Sequence, residues 1–155
     1  MPLLRAALSW KFVLATAICA SLLAQLIKVL LNLFIFRRFI AERMWGAGGM
    51  PSSHSATVCA MVVATGRYCG VNSPLFAIAA VLSIIVMYDA MGVRYETGEQ
   101  AKVLNRMFTE WMDQGFEQFQ LPHGKKLKEM VGHTPIEVVT GAALGIVLGF
   151  AMPMV

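Results

Sequence analysis

Phe12–Phe36 reads FVLATAICASLLAQLIKVLLNLFIF, almost wholly apolar, with Lys28 as its one charged residue. About 20 consecutive apolar residues suffice for a helix to cross the hydrocarbon core of a bilayer. A signal peptide is the competing reading, because Arg5 and Lys11 precede an apolar core with small residues near Ala20. The apolar run continues well past any cleavage point there, which favours a retained span. Working outward, Ala56–Val71 forms a second, shorter apolar segment and Pro74–Met91 a third. A fourth opens at Gly132 or Thr134 and runs to the C-terminus. The expected fold is all-α: a polytopic membrane helical bundle of about four transmembrane helices, with residues 1–155 as a single membrane-embedded domain.

The composition agrees. Of 155 residues, 57% are hydrophobic and 14% charged, and the mean hydropathy is +0.65. Soluble domains carry about 25% charged residues. A disordered chain, a basic nucleic-acid-binding domain and most soluble enzymes are thereby excluded. The net charge of +4, from 13 basic and 9 acidic residues, is too weak a balance to imply nucleic acid as a partner. Cys19, Cys59 and Cys69 are an odd number without CxxC spacing, so neither a disulfide framework nor a zinc site is expected. They read as small hydrophobes in apolar stretches.

Between the third and fourth spans lies a polar stretch, Gly92–Val131. Within it, Ala101–Phe119 places Leu104, Phe108, Trp111, Met112, Gly115, Phe116 and Phe119 at helical spacing. Lys102, Arg106, Glu110, Asp113 and Glu117 hold polar positions, so the segment reads as a cytoplasmic amphipathic helix on the bilayer or against the bundle. Four spans put both termini on one side and two polar loops on the other. The loops carry Arg37, Arg38, Arg43, Arg94, Lys102, Arg106, Lys125, Lys126 and Lys128, against Arg5, Lys11 and Arg67 opposite. The positive-inside rule then turns the loops to the cytoplasm, as in a multi-pass protein of the cell (inner) membrane.

Two histidines begin helices on that side. His54 lies in Gly48-Gly49-Met50-Pro51-Ser52-Ser53-His54-Ser55, a tight turn into a helix whose N-cap is Ser52 or Ser53. Such a turn is either a capped membrane helix with an interfacial histidine or an anion site. His133 lies in Gly132-His133-Thr134-Pro135-Ile136-Glu137. Thr134-x-x-Glu137 with Pro135 at the first helical position is a capping box, the structural reading of Glu137. The same carboxylate, four residues from His133, can instead orient the imidazole and leave its other nitrogen as a nucleophile. One carboxylate can serve both ends only in part. Gly141, Gly145 and Gly149 continue that face and permit close helix packing in lipid. Lys28 sits inside a span, where lysine costs roughly 2.5–3.5 kcal/mol on insertion scales; snorkelling to the interface is its structural reading. Asp89 and Arg94, five apart, either pair or serve different partners. His123, between Pro122 and Gly124, reads as an ordinary loop residue.

Pro51-Ser52-Ser53-His54 resembles the PSGH motif of the type 2 phosphatidic acid phosphatase superfamily, which includes the vanadium haloperoxidases. His133-x-x-x-Glu137 resembles the H-x-x-x-D end of its last motif. GGMPSSHSA, YDAMGVR with GEQAKVLN, and LKEMVGHTPIEVVTG together are similar to the divergent bacterial and plastid branch, from about Gln25 to Gly149. The resemblance implies metal-independent phosphate-ester hydrolysis through a phosphohistidine, without a cofactor. His133 attacks phosphorus, Glu137 orients it, and His54 protonates the leaving oxygen. Lys28 stands for the lysine of the first motif, and Ser52 and Ser53 belong to the phosphate-binding turn. The departures are specific. Position 35 is isoleucine where that motif continues K-x6-RP, and Arg38 lies nearer the face of Lys28 on a continued helix. Leu127 stands where an arginine precedes the last histidine, leaving Lys128 or Arg94 to replace it, with Asp89 in a supporting place. Ser53 stands where glycine is usual.

The expected function is a membrane phosphatase acting on a lipid phosphate or isoprenoid diphosphate, with the bilayer supplying its substrate. The alternative is a non-catalytic membrane protein that binds phosphorylated lipid. Four spans make a thin wall around a polar site, which is compatible with a homodimer.

Overall fold

The computed structural model describes residues 2–36, 49–114, 126–129 and 131–154, and among these all regular structure is helical. Helix α1 spans Pro2–Phe36, α2 Ser53–Cys69, α3 Pro74–Met91, α4 Val93–Asp113 and α5 Pro135–Ala151. Local chemistry sets the boundaries. Ser52 caps α2 by accepting the Ser55 N–H at 3.3 Å, and Gly70 at φ +86° turns the chain out of it. The second segment therefore begins before Ala56 and stops short of Val71. Ser73 caps α3 through the Phe76 N–H at 3.2 Å, with Pro74 in its first turn. Its bounds are those read from the sequence. Thr134 is the N-cap of α5 and Pro135 its first residue.

The amphipathic segment departs from expectation. Helix α4 starts at Val93, with only Gly92 between it and α3. Residues 115–125, which hold Gly115, Phe116, Phe119 and His123, lie outside the described residues, as do Arg37, Arg38 and Arg43. The buried face of α4 is Gly98, Ala101 and Asn105. The large apolar positions lie elsewhere: Leu104 and Met112 are exposed, while Phe108 and Trp111 stack edge to face at 5.9 Å. Small residues win the buried face because a main-chain segment packs there. A Cβ on Gly98 would lie 2.6 Å from the Glu129 carbonyl oxygen.

Helix α2 is the hub, packed against α1, α3 and α5. Lipid tails are as apolar as leucine, so helices in a bilayer associate through close van der Waals fit instead of water exclusion. Small residues supply that fit. A Cβ added at Gly141 or Gly145 would overlap the backbone carbonyls of Ser52 and Ala56, and one at Gly149 would lie 2.7 Å from Val63 Cβ. Ala20 and Ala24 of α1 complete the seam with Ala56 and Ala60 of α2, and Leu144 and Leu148 pack against it. At the end remote from the histidines, Arg67 donates to the carbonyls of Gly149 (2.6 Å) and Met152 (2.7 Å), closing the C-terminus of α5.

The outer surface is apolar. Leu22, Phe34, Ile78, Ile85 and Val147 all point outward. Lys11–Phe34 has a mean hydropathy of 2.1, yet only 28% of its apolar window is buried. The helical stretch that begins at Pro74 matches that hydropathy with 17% buried. Helices apolar all round but so little covered need hydrocarbon as solvent. Helices α2 and α5, at 17 residues each, reach the lower end of spanning length. Cys59 is buried as expected, whereas Cys19 faces outward and Cys69 is half-buried.

The α2–α5 seam yields the first prediction. Gly145→Val gains helix propensity in isolation but drives a branched side chain into the Ala56 carbonyl. Overpacking of this kind costs about 1–3 kcal/mol. The unfolding midpoint in detergent should fall by several degrees, while Val147→Leu on the outer face leaves it in place. Equal midpoints for Gly145→Val and wild type would show that the helices are not in backbone contact.

Candidate active site

Three main-chain contacts hold His133 before α5 begins. Its N–H donates to the Ala90 carbonyl at the end of α3 at 2.9 Å. Gly132, at φ +85°, sits so close to the backbone of Arg94 and Tyr95 that any Cβ would overlap it. The Ser52 N–H donates to the Glu137 carbonyl at 3.0 Å, joining the start of α2 to the first turn of α5. The ring of His133 is 2% exposed.

Glu137 performs both tasks that the sequence set in competition. Its Oε2 lies 3.2 Å from His133 Nδ1 and accepts the Thr134 N–H at 3.0 Å. A single oxygen therefore caps the helix and orients the imidazole. With Nδ1–H directed at the carboxylate, Nε2 carries the lone pair, and Nε2 is buried with no hydrogen-bond partner among the described residues. Burial holds the His133 imidazolium below its ordinary range. The Glu137 hydrogen bond and charge oppose that shift, and Lys28 and His54 add to it.

His54, in the first turn of α2, is exposed, with its ring centroid 6.2 Å from that of His133 and the planes at 62°. The two rings line a cavity of about 140 Å³ together with Val86, Asp89, Ala90, Arg94 and Gly132. Asp89 and Arg94 do pair, Oδ2 to Nε at 2.5 Å. A contact through Nε leaves the terminal guanidinium nitrogens available to a phosphate. Ser52, Ser53 and Lys28 are buried and do not line this cavity. Lys28 does not snorkel. It is 2% exposed, and its stem packs along Gly49, where a Cβ would lie 3.5 Å from Lys28 Cδ. Its charge acts on His54, His133 and Glu137. Among the described residues no cluster suited to holding a metal ion occurs.

Lys128 is exposed in the segment 126–129 and does not line the cavity that holds the histidines. Arg38 lies outside the described residues. Sequence reasoning passed over Asn105, which is buried. Its side chain accepts the Leu127 N–H at 2.8 Å and donates to the Leu127 carbonyl at 2.9 Å and to Glu129 Oε1 at 2.7 Å. It clamps to α4 the segment that leads into His133. The available signal was its spacing after Gly98 and Ala101, a polar residue continuing a face of small ones. Gln25 was also missed; its Nε2 lies 3.5 Å from Ser53 Oγ.

These features define a helical membrane protein whose two histidines line one cavity, with Asp89 and Arg94, at the same end of the bundle. The chain belongs to the Divergent PAP2 family, whose model matches residues 10–148. It is 39% identical over 143 residues to the uncharacterized membrane protein YuiD of Bacillus subtilis (strain 168), covering 88% of this chain and 90% of that protein. No solved structure matches it.

The depressed imidazolium of His133 has a defined effect on stability. The ordinary value of 6.5 lies above the folded one, so the unfolded chain takes up the proton first as pH falls. The contribution is fully present above about pH 6.5 and is lost as pH drops toward the folded value. Between pH 7.5 and 5.5 the detergent unfolding midpoint of wild type should fall further than that of His133→Gln. Parallel curves would show that His133 titrates normally.

Proposed function

We propose that the protein is a metal-independent membrane phosphatase that hydrolyses a lipid phosphate or isoprenoid diphosphate through a phosphohistidine. The observation that carries this reading is the buried Nε2 of His133, without a partner among the described residues, on a ring oriented by Glu137 and bordering a cavity shared with His54 and Arg94. Nε2 attacks phosphorus, forming the N–P bond as the ester P–O bond breaks. His54 gives its proton to the departing oxygen. Water then attacks the phosphohistidine and gives a proton to neutral His54, and inorganic phosphate leaves. Glu137 offsets the positive charge that develops on the His133 ring. Arg94 and Lys28 hold the phosphoryl oxygens, assisted by the N-terminus of α2 at Ser52 and Ser53. Of the two replacements for the arginine absent at Leu127, Arg94 is the better supported, because it lines the cavity and Lys128 does not. Arg38 joins this set through the resemblance alone.

In this reading the chain is multi-pass in the cell (inner) membrane, and the basic loops turn the site to the cytoplasm. Substrate then arrives from the bilayer, and a homodimer thickens the wall around the site. One observation favours a second reading: Arg94 is already paired with Asp89, as in a pocket that binds phosphorylated lipid without turning it over. Saturable binding without phosphate release over long incubation would support that reading.

Purified protein in detergent should release phosphate from a short-chain lipid phosphate in the presence of EDTA, and His133→Ala should abolish the release. Glu137→Gln keeps the capping hydrogen bond but loses the charge and presents an amide to the ring. Loss of the orienting carboxylate in a comparable triad lowers rate on the order of 10⁴-fold. Turnover of a folded Glu137→Gln protein should fall at least roughly 10²-fold. Near-normal turnover would reduce the carboxylate to a helix cap. The pH profile should be bell-shaped, its acid limb below about pH 6.5 because burial disfavours the His133 imidazolium.

A further inference from the structure

We propose that a groove between α2 and α3 seats the hydrocarbon tail of the substrate and selects a polyprenyl phosphate over a diacyl lipid phosphate; this deepens the phosphatase reading and rests on it. The groove encloses about 280 Å³. Thr65 and Ala79, both buried, form its floor, and half-buried Cys69 marks its end at the last residue of α2. Leu75, Ile78 and Leu82 stand exposed along the α3 rim, and Val13 brings in α1. Thr65 donates its hydroxyl to the Met61 carbonyl at 2.7 Å, so the floor meets a ligand with its methyl groups.

The groove and the histidine cavity lie on the same two helix stripes. On α2, His54, Val58, Met61, Thr65 and Cys69 recur at three- and four-residue intervals and so share one face. His54 lines the histidine cavity, and Met61, Thr65 and Cys69 line the groove. On α3, Val86 lines the cavity, and Leu82, one turn before it, lines the groove. Beside these stripes the helices touch. Cys59 Sγ lies 3.8 Å from Ser83 Oγ, and a Cβ on Gly66 would lie 3.0 Å from the Phe76 ring. The groove is therefore a furrow alongside a closed contact. A lipid whose phosphate occupies the cavity must lead its chain into hydrocarbon, and the apolar wall at Val86 continues to Leu82 and along the furrow.

Length makes the selection. At a helical rise of about 1.5 Å per residue, His54 and Cys69 stand ~22 Å apart along α2. The hydrocarbon core is about 30 Å thick, so one leaflet is about 15 Å deep. An acyl chain anchored at the histidine end stops near the midplane, whereas the groove continues past it to Cys69. A long polyprenyl chain is not confined to one leaflet and can line the whole furrow. Lipid tails are as apolar as the groove, so burial alone gives no preference there. The preference comes from close contact summed along the length of the chain.

Cys69 reports on the far end of the groove without any turnover. Alkylation of the wild-type protein in micelles by N-ethylmaleimide is followed by mass spectrometry, which separates Cys69 from Cys19 and Cys59. Decaprenyl phosphate at about ten times its Kd should slow modification of Cys69 about tenfold. Geranyl phosphate and dioleoyl phosphatidate should leave that rate in place, and outward-facing Cys19 should respond to none of the three. Ala79→Phe fills the floor and should remove the protection; Thr65→Leu, on the facing helix, gives the same reading if Ala79→Phe does not fold. Where phosphate release is measurable, Ala79→Phe should lower kcat/KM for decaprenyl phosphate at least roughly tenfold and spare geranyl phosphate. Equal protection by all three lipids overturns the proposal, as does none by decaprenyl phosphate. Slow alkylation without lipid that quickens on dilution to monomer would assign the groove to a second copy and overturn it too. Protection by the polyprenyl chain alone, in a protein that releases no phosphate, would sustain the groove and sink the phosphatase reading.

Discussion

The candidate site depends on backbone-to-backbone contact between α2 and α5. Gly141 lies against Ser52 and Gly145 against Ala56, and the Ser52 N–H reaches the Glu137 carbonyl across the same junction. Each histidine belongs to the start of one of these helices, so the axial offset between α2 and α5 sets the distance between the rings. A side chain at either glycine would separate the helices and move His54 from His133 before it disturbed anything else. In lipid, where apolar burial gives no net drive to association, the contacts that hold the bundle together are the ones that position its polar groups.

A second constraint is electrostatic. Lys28 and Glu137 bring opposite charges into a poorly solvated site, and each acts on the other. A buried charge without a partner is strongly unfavourable, and a partnered one depends on geometry. Here the geometry is fixed by residues without chemistry of their own. Gly49, at φ +89°, lies alongside the stem of Lys28, and Asn105 ties down the chain that leads into His133. The fixed framework supplies orientation that a water-filled site would have to recover through reorganisation.

Much of this could be read from the chain. Pro74–Met91 was exact because Ser73-Pro74 and Gly92 punctuate an unbroken apolar run. The capping box at Thr134–Glu137 and the spacing of Gly141, Gly145 and Gly149 were legible for the same reason: they are local or strictly periodic. The misread elements depend on distant partners. The apolar stripe of α4 gave the correct helix type, but its buried face was decided by a segment more than twenty residues on, which no periodicity in α4 reveals. For Lys28 the sequence left snorkelling and a place in the phosphate-binding motif both open; its burial depends on neighbours distant in the chain, Gly49 among them. The dual engagement of Glu137 was underrated for a related reason. Spacing says which groups are in reach, not that Nδ1 and the Thr134 N–H converge on one oxygen.

The two histidines carry the same side chain in surroundings of contrasting exposure, and the contrast matches the division of labour in the proposed mechanism. His133 is enclosed, aimed by a carboxylate and disfavoured as a cation, which suits a neutral nucleophile. His54 is exposed and lines the same cavity as Asp89 and Arg94, which suits a group that exchanges a proton in the proposed mechanism. The division originates in chain geometry. His133 precedes α5 in a segment pressed between Ala90 and Arg94, so it cannot avoid burial. His54 follows the Ser52 cap by two residues and remains exposed in the first turn of α2. Exchanging the residues themselves would leave those two environments in place, so the assignment of roles belongs to the positions and not to any property of the imidazoles.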